Sequence, residues 1–143
     1  MRLRLVTIGK PKLGYAKQGW DEYLGRLQRL HQLHVVQLPD KYADDAAKIL
    51  AAVQGTTCIV MEIQGQEYTS PELAAMLQKK ELLGREISFL IGGPEGLPDS
   101  VRQAADLQWS LGRLTLPHDL AMVVTLEALY RASTIIAGLP YHK

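Results

Sequence analysis

Ile87-Ser88-Phe89-Leu90-Ile91-Gly92-Gly93-Pro94-Glu95-Gly96-Leu97-Pro98 decides the fold class. A short apolar run bounded by glycine and proline reads as a buried strand that ends in a sharp turn just ahead of a helix. Gly92, Gly93 and Gly96 have no Cβ, so main-chain N–H groups there can approach a ligand closely. Pro94 and Pro98 stiffen the turn and forbid the strand from continuing. In open α/β sheets ligands settle beyond the carboxyl ends of strands, where this turn falls if Ile87 to Ile91 is a central strand. The same residues would also serve a tight connection that binds nothing. The spacing is not G-x-G-x-x-G, and no G-x-x-x-x-G-K-[ST] occurs, so neither a dinucleotide fingerprint nor a phosphate-cradling loop is available.

Outward from that stretch, strands alternate with helices. Arg2 to Gly9 alternates apolar and polar residues as a strand does. Tyr15 to Leu30 spaces Trp20, Tyr23, Leu24, Leu27 and Leu30 as one buried helical face. His34 to Pro39 is a short strand, and Asp44 to Val53 an amphipathic helix. Thr57 to Ile63 is a third strand, ended at Gly65. Ser70-Pro71-Glu72 starts a helix with Ser as cap, Pro pre-set for the first turn and Glu at the positive end of the dipole; Gly84 stops it after about Leu83. A helix from Pro98 to about Ala105 and an extended piece through Trp109 and Ser110 follow. The last helix begins around His118 to Leu120 and ends at Gly138 and Pro140. The pattern predicts one domain over 1–143, a mostly parallel sheet covered on both faces.

A length of 143 residues, 47% apolar and 22% charged, suits a single globular core. The start of the chain alternates at once, and no apolar run approaches the length of a signal h-region or membrane span, so the expectation is a cytoplasmic protein with no membrane partner. The single cysteine, Cys58, lies in an apolar run and reads as a small buried hydrophobe. Sixteen basic against fifteen acidic residues leave a net charge of +1, so any RNA contact must be local rather than a bulk attraction. His31 and His34 lack further ligands at zinc spacing, and no metal is expected. G-x-S-x-G and H-E-x-x-H are both absent, against a hydrolase.

Trp109-Ser110-Leu111-Gly112-Arg113-Leu114-Thr115-Leu116-Pro117-His118 repeats the device of an extended run, a glycine and a proline ahead of a helix. Facing the first turn, this loop would close a cleft of backbone groups and leucine side chains, suited to a flat heterocycle with polar edges. The leucines would equally serve as core.

Ile91-Gly92-Gly93-Pro94-Glu95-Gly96, Leu114-Thr115-Leu116-Pro117-His118, Leu129-Tyr130-Arg131-Ala132 and the terminal Tyr141-His142-Lys143, in that order, resemble the ribosomal RNA large subunit methyltransferase H family of the SPOUT class, over the whole chain. The resemblance implies a six-stranded α/β fold with a C-terminal trefoil knot. It implies S-adenosyl-L-methionine in the knot cleft, held by Met61, Gly92, Leu111, Gly112, Arg113, Leu114, Thr115 and Leu116. It further implies methylation of N3 of a pseudouridine in 23S rRNA on the assembled ribosome, by a homodimer whose active site lies at the subunit interface.

Methyl transfer to a ring nitrogen needs the reactants held in line and the nitrogen's proton removed. Candidate proton acceptors are His118, Glu127, Tyr141 and His142. Arg131 could bind an RNA phosphate or pair with a carboxylate. By the resemblance, the tail with Tyr141 and His142 docks at the partner's cofactor pocket. Two features depart from the family: Met122 stands where members usually carry an arginine, so a phosphate or cofactor contact would be missing or come from Arg113, and the connection from Asp40 to Asp45 is shorter. Met122 also admits a competing reading, a ribosome-binding or assembly factor that keeps the fold without catalysis.

Overall fold

Two periodicities alternate along the chain, and the computed structural model, which describes residues 1–143, converts them into five strands and five helices. β1 is Arg2–Ile8, α1 Gly14–Leu30, β2 Gln32–Leu38, α2 Ala46–Ala52 and β3 Thr57–Glu67; then come α3 Ser70–Glu81, β4 Ile87–Ile91, α4 Asp99–Ala104, β5 Leu107–Ser110 and α5 His118–Ala137. The sheet has the order β2-β1-β4-β3-β5, and every pairing is parallel. It has five strands, which corrects the six implied by resemblance; the residues after β5 go into the cleft loop and α5 rather than a further strand.

β4 is the middle strand, buried along its whole length. Its odd-numbered residues Ile87, Phe89 and Ile91 face a core shared with α1, α3 and α5, where Trp20, Leu27, Leu77, Met122, Leu126 and Leu129 pack. Leu90 faces the other way, with Val6, Ile8 and Val60, onto Ile49 of α2 and Val101 of α4. Helices therefore cover both faces, as a parallel sheet requires. Each large side chain buried this way contributes roughly 1.5–3 kcal/mol.

Local details depart from expectation for identifiable reasons. β3 does not stop near Ile63 but continues to Glu67, because Gly65 is the point where the strand passes the backbone of β5: a Cβ there would sit 2.6 Å from Gln108 C and O. The cap of α3 is Thr69, not Ser70; Thr69 and Glu72 form a reciprocal capping box. α5 ends in a Schellman motif, with Gly138 at φ +71° and the Leu139 N–H donating to Thr134 O at 2.9 Å. α5 is also long and apolar enough to cross a membrane by length and composition, which corrects the expectation that no apolar run approaches that length. In the fold its Met122, Thr125, Leu126 and Leu129 are buried.

Candidate functional site

The loops that leave β4 and β5 enclose, together with Met61, Glu62 and Ile63 of β3, a cleft of about 600 Å³, within the range of small-molecule sites. One wall is the turn after β4. Gly93-Pro94-Glu95-Gly96 is a β-turn closed by the Gly96 N–H donating to Gly93 O at 2.9 Å. The facing wall is the loop Leu111 to Pro117 between β5 and α5, so the two glycine loops do meet across a cleft.

The glycines have separate reasons. A Cβ on Gly92 would lie 2.8 Å from Leu97 Cγ and 3.1 Å from Gly96 C; it is glycine because the turn folds back on it. Gly96 and Gly112 have φ of +86° and +138°, and a Cβ on either would meet no protein atom within 4 Å. Both line the cleft, so bare main chain faces space that protein does not fill.

Of the residues named from sequence, Met61, Gly92, Leu111, Gly112, Leu114, Thr115, Leu116 and His118 line the cleft. Arg113 does not; it is exposed beside it. The leucines are not simply core, since Leu114 is 81% exposed. His118 is half-buried, and its Nε2 is fully buried without a hydrogen-bond partner. Burial holds its imidazole below the ordinary value; nearby Asp119 and Asp40 oppose the shift and Lys12 adds to it. His118 is therefore neutral near pH 7.

Asp119, the next residue, has another task. Its Oδ2 accepts the backbone N–H groups of Lys12 and Leu13 at 2.9 and 2.7 Å. Leu13 precedes α1 and offers no side-chain cap of its own, so Asp119 caps α1 from a distant part of the chain. Those hydrogen bonds pull its carboxyl below the usual range.

Arg131, Tyr141 and His142 are not in this cleft. They gather on the outer side of α5 with α1. Arg131 pairs with Glu127 at 2.7 Å, its guanidinium lies 4.8 Å from the Tyr141 ring centre, and its NH1 is 3.3 Å from His142 Nδ1. Tyr141 packs edge-on against Tyr130 at 4.7 Å, and its hydroxyl is 3.4 Å from that of Tyr23. Burial pushes the Tyr141 phenol well up, with the Tyr23 contact reinforcing it, so it stays protonated. The tail of one chain thus lies on its own last helix.

Met122 is fully buried in the core and does not line the cleft. Neither Met122 nor Arg113 therefore supplies the cleft wall with the phosphate or cofactor contact that an arginine there would offer. No three His, Cys, Asp or Glu side chains converge as metal ligands; His31 instead meets Ser133 Oγ at 2.7 Å and His34 lies 3.9 Å from Glu86. Sequence reasoning passed over Glu62 and Arg102, which also line the cleft; the only signal was that Glu62 follows Met61.

With this geometry in hand, comparison with known proteins decides the family. The family described as Predicted SPOUT methyltransferase matches residues 1–142. A ribosomal RNA large subunit methyltransferase H of Deinococcus deserti is 48% identical, with all of each chain covered. The Thermus thermophilus protein of the same name is 41% identical, over 100% of this chain and 99% of that one. The chain belongs to the ribosomal RNA large subunit methyltransferase H family of SPOUT methyltransferases. A solved probable methylase family protein from Haemophilus influenzae shares the fold, with a TM-score of 0.63 over 99% of this chain and 70% of that one, at 14% identity. In this SPOUT methyltransferase the cleft lies at the carboxyl ends of β4 and β5, beside the middle of β3.

Proposed function

We propose that the chain uses S-adenosyl-L-methionine to methylate N3 of a pseudouridine in 23S rRNA of the assembled ribosome, working as a homodimer in the cytoplasm, with the C-terminal part knotted around the cofactor. The observation that carries this reading is the cleft between the two glycine loops. It has the volume for a nucleoside-sized ligand, bare main chain at Gly96 and Gly112, and an orphaned imidazole nitrogen at His118, so its residues fit such a group. The names of the Deinococcus and Thermus relatives supply the RNA substrate.

When bound, the cofactor supplies an electrophilic methyl group on a sulfonium. Met61, Leu111, Leu114 and Leu116 would pack against its flat base, and the main chain of the two loops would meet its polar edges. Holding the acceptor nitrogen in line supplies much of the rate. His118, neutral at pH 7, is a side chain in the cleft wall able to take the nitrogen's proton.

Arg131, Tyr141 and His142 enter the reaction only if a second copy brings them. The outer face of α5 supports that arrangement: only 39% of its most apolar stretch is buried within one chain, and the tail lies along it. A non-catalytic ribosome-binding or assembly factor, the reading that Met122 admits, predicts no methyl transfer.

Incubation of the purified protein with methyl-labelled cofactor and intact ribosomes tests the proposal. The expected result is label on one pseudouridine of 23S rRNA. Cofactor binding without transfer would favour the factor reading.

A further inference from the structure

Beyond the residues used above, the cleft holds one polar pair, Glu62 on β3 and Arg102 on α4. Glu62 sits where β3 loses its partners. Pairing with β4 ends at Val60↔Leu90. On the other side both Met61 and Gln66 lie opposite Trp109, so residues 62–65 bulge out of the ladder. The bulge is secured by Ser110 Oγ donating to Ile63 O at 2.9 Å. It presents Glu62 beside the exit of the glycine turn.

Arg102 fixes that exit. Its NH1 donates to Leu97 O at 2.9 Å, its NH2 pairs with Asp99, and its Nε lies 3.8 Å from Glu62 Oε2. The Glu62 side chain is only 18% exposed and forms no hydrogen bond with protein, its sole ionic contact being that guanidinium. A carboxylate taken largely out of water with unused acceptors is costly unless something completes it. The remaining access is into the cleft.

The class of donor follows from the charge. Arg102, shared with Asp99, lies against Glu62, and a second cation there would meet the guanidinium as well as the carboxylate. Neutral O–H donors meet no such repulsion, and two adjacent hydroxyls match the two oxygens of one carboxylate. We infer that Glu62, positioned by Arg102, binds the ribose hydroxyl pair of the nucleoside held in the cleft. The inference rests on the cofactor reading above.

Titration calorimetry with S-adenosyl-L-homocysteine and its 2′,3′-dideoxy counterpart tests it. Wild-type protein should bind the dideoxy compound roughly tenfold or more weakly, as loss of hydrogen bonds to a charged group predicts. Glu62→Gln should bind the parent compound weakly and lose most of that discrimination, while a thermal melt shows it folded. Should Glu62→Gln not fold, the shorter Glu62→Asp serves in its place, and reduced discrimination is again expected. Wild-type protein indifferent to the hydroxyls, or a variant that keeps full discrimination, overturns the inference and leaves the cofactor reading standing. Failure of wild-type protein to bind either compound or S-adenosyl-L-methionine overturns both.

Discussion

At the amino end of the sheet the polar side chains are hydrogen-bonded, and at the carboxyl end two are left without a hydrogen-bond partner. Arg4 forks onto both oxygens of Glu86 at 2.7 and 3.3 Å and donates to Ala52 O at 2.9 Å. Thr56 donates to Val53 O and accepts from Ser88 Oγ, each at 2.6 Å. The Ser133 hydroxyl donates to Leu129 O, so its oxygen accepts from His31 Nε2 at 2.7 Å. The carboxyl end leaves His118 Nε2 orphaned, Glu62 without a hydrogen bond and Leu114 in the open. One end spends its polar groups on holding the sheet; the other keeps them for a ligand. Changes at the two ends should therefore separate stability from binding.

The largest effect is expected at the open end. Gly92→Val would force a side chain into Leu97 and Gly96 and push the turn into the cleft. S-adenosyl-L-methionine affinity should fall by about a hundredfold or more, with about 1–3 kcal/mol of stability lost to overpacking. Unchanged affinity in calorimetry would remove the turn from the site.

Next comes the closed end. Arg4→Ala leaves Glu86, whose side chain is 20% exposed, without its partner, and should cost about 2–3 kcal/mol in urea unfolding. Cofactor affinity should not move; a parallel loss of affinity would break the division between the two ends.

Asp119→Ala tests a carboxylate at the open end that serves structure. It removes the cap of α1 beside the cleft and should cost about 1–2 kcal/mol, with Asp119→Asn keeping part of that.

The smallest effect is a pH dependence. Burial, helped by the Met1 amine, lowers the His31 pKa from 6.5 to about 4. The unfolded chain therefore takes up this proton first as pH falls. Stability should be intact above about pH 6.5, decline toward about pH 4 and then level off for this group. His118, lowered for the same reason, adds the same sign. His31→Gln should flatten the slope in urea unfolding at pH 7 against pH 4.5; an unchanged slope would place the dependence elsewhere.

Local chemistry was legible where glycine and proline punctuate apolar runs. The β4 turn, the Leu111 to Leu116 loop and the αL stop at Gly138 followed from the conformations those residues allow. Less was legible wherever the cause is distant in the chain. Gly65 looked like a strand end because the backbone of Gln108 that requires it lies more than forty residues away. The cap of α1, Asp119, likewise lies more than a hundred residues away. Strand order, and which side of α5 meets the core, depend on pairings that no single periodicity contains. Arg113 fell outside the cleft although its neighbours line it, since a loop, unlike a strand, has no fixed alternation.

The bond from Asp119 to Lys12 and Leu13, across 107 and 106 residues, also governs the order of assembly. As the polypeptide is synthesised, the cap of its first helix is completed only once the last one has emerged. β1 can pair with β2 early but gains its second neighbour only with β4, Leu3 pairing to Ile87. Such long-range closure slows folding and makes a nearly complete nascent chain the earliest species able to hold its ligand.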